Sequence, residues 1–513
     1  MKQTVKYVVA TLCVACLSMS NVWAVAPLPG LGLTEHVRKP IPQGIVHQQR
    51  VARAAMEWQA PELVSRGLLI VVEFADTPLS AGNTVQSFDS LANADDYTYN
   101  GAMGSCKKYF QDQSNGLYTP QFDVVGPVVL PQSTAYYGTD AAYSGDDRYV
   151  ADFVIDACKA AQAKGVDFAN YDQNGDGNVD LVYILYAGYS QADGGPATSI
   201  WPHAWDMQSA LYYGNTNQNE YYVKVNTAGQ ITSQNLPVLN GKTILRYACS
   251  NELIFSSKAR TSIGTICHEF AHVLGLPDYY LTTTEPITQQ RLTPGAWSLM
   301  GSGNYLNNGN TPPNLSVYDK YFLGWLTPTV LDRSQSLTIP ADGATTYMLT
   351  RNQMHSEDGA YRTDTAYYIE NRQQEGWDAY LPGHGMLIWR VLYDKVDWYN
   401  NCPNDYVARY LLVSAKSTSS PYTTGKEKPE VPFPGSSKQT KYEPFKGYNG
   451  LYNIQETNGV ITCDFTTTNN ATDVEMVPVA DESVVWYNLL GQPVDIQSYK
   501  GVAVSKQGKV LVR

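Results

Sequence analysis

Two histidines four residues apart, with a glutamate directly after the first, occupy the segment His268, Glu269, Phe270, Ala271, His272. On an α-helix, residues four apart share a face, so the two imidazoles can grip one ion. Glu269 then stands where a carboxylate can take a proton from a water activated at that ion. Gly275 permits the sharp turn that ends such a helix, because glycine accepts positive φ. That turn swings Asp278 back as a third ligand, its oxygen at about 2.0–2.2 Å from a zinc ion. The chain holds only 7 histidines, so two of them in one motif carry weight. Ile263, Ile266, Phe270, Ala271, Val273 and Leu274 surround the motif with apolar groups. His and Glu without partners would be costly in so apolar a helix. The chemistry that fits is hydrolysis assisted by Zn2+, with His268, His272 and Asp278 as ligands and Glu269 as general base. A glutamate as third ligand would have to be Glu285, which precedes Pro286 in a Thr-rich stretch, so spacing favours Asp278.

The elements around this motif read as a mixed α/β domain. Residues 68–74 and 181–186 are continuous apolar runs of the kind found in strands buried on both faces. Helical spacing over 105–113 and 149–163, with a Val-rich strand over 118–130, supplies the alternation of an α/β sheet. A further helix falls within 313–326. The small residues of 295–303 allow a tight turn that places Met300, a soft apolar side chain, beneath the metal. Tyr305 follows this turn closely and is a candidate donor to a developing oxyanion. From about residue 336 the pattern changes to short alternating strands at 337–339, 346–349, 366–370 and 386–389. Residues 398–450, rich in Asn, Pro, Ser, Thr and Gly, read as long surface loops.

A second cluster lies between helix and strand. Asp172, Asn174, Asp176, Asn178 and Asp180, with Gly177 at the sixth position, match the first nine positions of a calcium loop. Position twelve is Tyr183 instead of a bidentate glutamate. An Asx-rich turn has the same composition, but three crowded aspartates repel without a counter-ion, which favours structural Ca2+. Extra ligands would come from Asp193 or Asp206.

Targeting and charge bound the rest. Lys2 and Lys6, an apolar run, and small Val22 and Ala24 around Trp23 read as a signal peptide over 1–24 that directs secretion. The run is too short to span a bilayer comfortably, and no later stretch is long and apolar enough to cross one. The net charge is −12 with no basic cluster, which gives nucleic-acid binding no support. Tyrosine is abundant at 38, a composition that suits an extracellular surface. Cys106, Cys158, Cys249, Cys267, Cys402 and Cys463 form no zinc-type pairs, and Cys267 reads as a buried structural thiol.

Residues 268–278, the Met300 turn, the 172–180 loop, and the segments 368–373 and 381–389 together resemble the immune inhibitor A family of secreted, metzincin-like metalloproteases. The resemblance covers roughly residues 66–465. It implies a zinc endopeptidase acting on protein or peptide substrates, with a metzincin-like catalytic domain, an active-site helix and a Met-turn. Arg390 stands where a histidine is expected after Ile388 and Trp389, and the N-terminal segment is short for a pro-region. Segments within 486–512 resemble a type IX secretion sorting domain, which implies secretion machinery as a partner. The expected organisation is a signal peptide (1–24), a linker or short pro-segment (25–62) and a zinc metalloprotease catalytic domain (63–335). A β-rich accessory region (336–465), a linker (466–483) and a small C-terminal β domain (484–513) follow. The rival reading is a surface adhesin or glycan-binding protein with a vestigial metal site, which a Tyr-rich β region would suit. Glu269 argues against it, because a structural zinc has no use for a base.

Overall fold

The computed structural model describes residues 63–467 except 142–145, 228–229, 283–292, 351–364, 406, 417–429 and 446–448. It also describes short strands at 23–24 and between 486 and 512. The 25–62 segment, Glu285 and most of the expected 1–24 signal peptide lie outside the described residues, as does the expected linker over 466–483 beyond Thr467.

Six strands form the sheet that carries the site: β1 (Trp23–Ala24), β2 (Arg66–Glu73), β3 (Gln121–Val129), β4 (Val182–Tyr189), β5 (His203–Asp206) and β6 (Arg246–Leu253). Their order is β1-β5-β6-β4-β2-β3. The four strands β6, β4, β2 and β3 run parallel, while β5 lies antiparallel on β6 and β1 antiparallel on β5. Strand β2 is an apolar run because both of its faces are covered. Leu69 and Val71 point into one core with α1 (Val85–Asn93), α2 (Cys106–Gln113) and α4 (Ile263–Val273). Leu68, Ile70 and Val72 point into the other, against α3 (Val150–Ala163).

Helix α4 is fixed to its surroundings by aromatic packing and by one very close approach. Phe270 makes edge contacts with Phe110 and Phe122, ring centroids 5.1 Å apart in each case. A side chain at Gly264 would meet the Asn304 carbonyl at 1.9 Å, so the backbone of 303–309 approaches the helix only because that position is glycine.

The later strands build two more sheets. They are β7 (Thr329–Val330), β8 (Gln335–Ile339), β9 (Tyr347–Thr350), β10 (Thr365–Arg372), β11 (Gly385–Leu392), β12 (Tyr410–Leu412), β13 (Tyr442–Phe445), β14 (Asn449–Thr457) and β15 (Val460–Thr467). One sheet has the order β7-β9-β10-β11-β12, the other β8-β15-β14-β13. The helix expected within 313–326 is the short α5 (Val317–Phe322), opened by a Ser316–Asp319 capping box. Strands β16 (Trp486–Asn488), β17 (Pro493–Val494), β18 (Val502–Ser505) and β19 (Val510–Val512) pair antiparallel in the order β17-β16-β18-β19.

The surface-loop reading of 398–450 holds for the exposed residues 436–441 and is corrected by burial over much of 398–415 and over 431–433. Trp398, Asn401, Cys402, Asn404, Asp405, Tyr410, Leu412, Val431 and Phe433 are all buried. Met348, Tyr368, Trp377, Leu387, Trp389 and Tyr410 belong to the same apolar core as Ile266 and Phe270 of α4. A buried ion cluster joins the two halves. Arg372 on β10 forks onto Asp378 at 2.5 Å and donates to the Asn314 carbonyl at 2.8 Å. The Asn314 amide N–H in turn donates to Asp378 at 2.9 Å.

Candidate metal centre

His268, Glu269 and Asp278 are fully buried, and His272 is 3% exposed. Helix α4 ends as the sequence requires. Gly275 adopts φ +99°, its N–H donates to the His272 carbonyl at 2.9 Å, and the Leu276 N–H donates to the Ala271 carbonyl at 3.1 Å. These two bonds are the Schellman pattern. The turn also aims the Leu276 carbonyl at His272, whose Nδ1 donates to it at 2.7 Å. His268 Nδ1 donates to the Leu299 carbonyl at 2.8 Å.

A carbonyl can only accept, so each imidazole carries a proton on Nδ1 and turns Nε2 inward, where the neutral ring presents a lone pair. Asp278 Oδ1 meets those lone pairs, 3.1 Å from His268 Nε2 and 3.3 Å from His272 Nε2. Burial pushes the His272 imidazole toward its neutral form. Burial also pushes the Asp278 carboxyl up, but His272 and His268, when protonated on the nitrogens facing it, outweigh burial and hold it well below the usual carboxylate range. With both rings neutral, two nitrogen lone pairs and one anionic oxygen face one another, an arrangement that calls for a cation. Ligand atoms about 2.0–2.1 Å from a tetrahedral zinc lie about 3.3 Å apart, so the observed spacing fits that ion. Among the described residues this is the only group of three or more His, Cys, Asp or Glu side chains placed to hold a metal.

The sequence profile of the Immune inhibitor A peptidase M6 catalytic domain matches residues 65–326. The chain belongs to the immune inhibitor A peptidase M6 family. It is 31% identical over 242 residues to Immune inhibitor A of Bacillus thuringiensis subsp. alesti, covering 42% of this chain and 31% of that protein. It is 25% identical over 295 residues to Pre-pro-metalloprotease PrtV of Vibrio cholerae serotype O1, covering 50% of this chain and 29% of that one. The aligned stretch thus spans less than a third of either relative.

In this M6 chain Met300 is fully buried beside the centre, and its carbonyl accepts the Tyr279 N–H at 2.8 Å. The turn therefore braces both ends of the ligand set, His268 through Leu299 and the Asp278 loop through Tyr279. Tyr305 lies close enough to Glu269 for that carboxylate to add to the upward push of burial and Asp193 on its hydroxyl, which stays protonated. Cys267 is a free, buried thiol, and burial pushes it well above its ordinary range.

The 172–180 loop has its own internal partners. Asp172 receives Lys242 Nζ at 2.6 Å and the backbone N–H groups of Asp176 and Gly177. Asn174 and Asp176 accept from the N–H groups of Asp176 and Asn178, and Asp180 accepts from Gln173. Lys242 beside Asp172 holds that carboxyl below its ordinary range. Asp193 and Asp206 do not turn toward this loop. Asp193 accepts from Ser190 and Phe255, while Asp206 caps the helix Met207–Tyr213.

Sequence reasoning missed the groups that orient the ligands. The Leu276 and Leu299 carbonyls are backbone atoms with no residue signature. Asn401, which contacts Asp278, stands 123 positions away in the chain. Its only signal is an Asn-rich run, Asn400, Asn401 and Asn404, which composition alone assigns to a loop.

Proposed function

We propose that the chain is a secreted zinc-dependent endopeptidase that hydrolyses peptide bonds of extracellular proteins. The observation that carries this reading is the convergence of His268 Nε2, His272 Nε2 and Asp278 Oδ1, with both Nδ1 atoms held by carbonyls. Zinc held there would supply Lewis acidity, which acidifies water and polarises the scissile carbonyl. Glu269 accepts the proton from the attacking water and returns it to the leaving amine. Tyr305, kept protonated, donates to the developing oxyanion. The buried surroundings of Glu269 exclude bulk water and strengthen each of these interactions. Met300 shapes the floor of a metzincin-like centre without touching the ion.

Export is assigned to the 1–24 leader, whose cleavage would remove β1 and leave the other five strands of the sheet. Release or surface attachment is assigned to 484–513 acting as a type IX sorting domain recognised by secretion machinery. Among the described residues no helix is long and apolar enough to cross a membrane.

A direct test incubates the purified chain with a proteome-derived peptide library, with and without 1,10-phenanthroline, and reads cut sites by mass spectrometry. Cleavage should vanish with the chelator and return on adding zinc. Cleavage indifferent to the chelator would discard the metallopeptidase reading, and no cleavage with intact binding to matrix proteins or glycans would favour the adhesin.

Calcium is proposed as a structural ion of the 172–180 loop, where it must displace Lys242. Adding millimolar calcium to chelator-treated protein should raise the melting midpoint by about 2 °C. A midpoint that does not move leaves the Lys242 ammonium as the cation that neutralises these aspartates.

A further inference from the structure

We propose that Asn401 is the positioning residue of the metal centre, reaching from the β-rich region to set the orientation of Asp278; this rests on the metallopeptidase reading. Asn401 is fully buried, and both ends of its carboxamide are used on the one ligand. Its Oδ1 accepts the Asp278 N–H at 2.5 Å, and its Nδ2 donates to Asp278 Oδ2 at 2.7 Å. A carboxylate cannot donate and an N–H cannot accept, so the chemistry of Asp278 fixes which end of the amide faces which atom. With Oδ2 and the backbone N–H both tied, Oδ1 is the oxygen left to face His268 and His272.

No other short polar side chain reproduces this pair of bonds. Aspartate would keep the acceptor but set a carboxylate against a carboxylate. Leucine would leave a buried N–H and a buried oxygen without partners. Asn401 also holds φ +54°, in the left-handed region that asparagine tolerates better than most residues. The neighbouring residues extend the grip along the same loop. Asp405 accepts from the Thr282 N–H at 2.8 Å and hydroxyl at 2.7 Å, and Asn404 Nδ2 donates to the Tyr279 carbonyl at 2.9 Å. Tyr410 stacks on Tyr279 with centroids 3.5 Å apart. The third ligand is therefore positioned by residues beyond 326, where the family profile ends.

Groups that orient a metal ligand typically contribute 10–100-fold to metal affinity. The test uses the full chain as wild type, Asn401→Gly and Asn401→Asp. Glycine keeps the left-handed backbone while removing both side-chain bonds, and aspartate keeps the shape and the acceptor. Zinc affinity is read by competition with a chromophoric chelator, cobalt(II) ligand-field bands by visible absorption, and the metal-free fold by melting midpoint. The expected result is zinc bound about 10–100-fold more weakly by both variants, with altered cobalt bands and a metal-free melt that stays cooperative. Should Asn401→Gly fail to fold, Asn401→Asp decides by the same measurements. Wild-type affinity and cobalt bands in a folded variant overturn the assignment and leave the metallopeptidase reading standing. So does a lowered metal-free midpoint with unchanged affinity, the signature of a merely structural role. Wild-type protein that takes up no zinc removes both.

Discussion

Replacing Glu269 by glutamine should lower kcat/KM for peptide cleavage by about 10²–10⁴-fold while zinc stays stoichiometric. Glutamine matches glutamate in shape and remains hydrogen-bonding, but it cannot accept a proton at neutral pH. The ligand set does not include Glu269: the convergent atoms belong to His268, His272 and Asp278. Removing the base should therefore separate chemistry from metal binding. The loss corresponds to about 3–5 kcal/mol of barrier at 1.36 kcal/mol per tenfold. The carboxylate charge also contributes to the upward push on the hydroxyls of Tyr183 and Tyr305, so its removal changes the field inside the pocket as well as the proton acceptor. Steady-state kinetics on a fluorogenic peptide, paired with elemental analysis of the same sample, checks both halves. Activity within tenfold of wild type would remove Glu269 from the mechanism. Zinc lost along with activity would show instead that Glu269 holds the centre together.

What the sequence disclosed and what it hid divide along a physical line. Strands β2 and β4 were legible because burial on both faces demands an unbroken apolar run, and 68–74 and 181–186 supply one. The ligands were legible because helical periodicity turns a four-residue spacing into proximity. Gly275 then marked where the chain had to turn toward Asp278. The groups orienting the imidazoles were not legible, because a backbone carbonyl has no letter of its own. The 398–450 segment misled for a different reason. Asn401, Asn404 and Asp405 are polar, and polar residues between strands ordinarily face water. Here they are buried and fully engaged with the 278–282 loop. Composition cannot distinguish a side chain solvated by water from one satisfied by protein. The aspartates of 172–180 show the same ambiguity, since their repulsion called for a cation and Lys242 stands there.

Ending the chain at residue 335 should abolish cooperative folding and stoichiometric zinc uptake together. The catalytic region 63–335 has the family motif and its own sheet, yet one side of its core is completed from beyond that boundary. Tyr368, Trp377, Leu387, Trp389, Trp398 and Tyr410 are buried in the same cluster as Ile266, Phe270 and Met300. Trp377 packs edge-on against Tyr109 of α2 with centroids 5.1 Å apart. Burial of each large apolar side chain stabilises by about 1.5–3 kcal/mol. Six of them together account for about 9–18 kcal/mol, comparable to the entire net stability of a typical domain, about 5–15 kcal/mol. Truncation also strands the Asn314 carbonyl, which accepts from Arg372, and releases the Tyr279 ring from Tyr410. Near-ultraviolet circular dichroism, a thermal melt and zinc titration on the 63–335 fragment and the full chain give the comparison. The fragment should show no cooperative transition and should bind zinc no better than an unfolded His-containing peptide. A fragment that melts cooperatively and takes one zinc with full-chain affinity would make the β-rich region a true accessory, and would remove Asn401 from the metal centre at the same stroke.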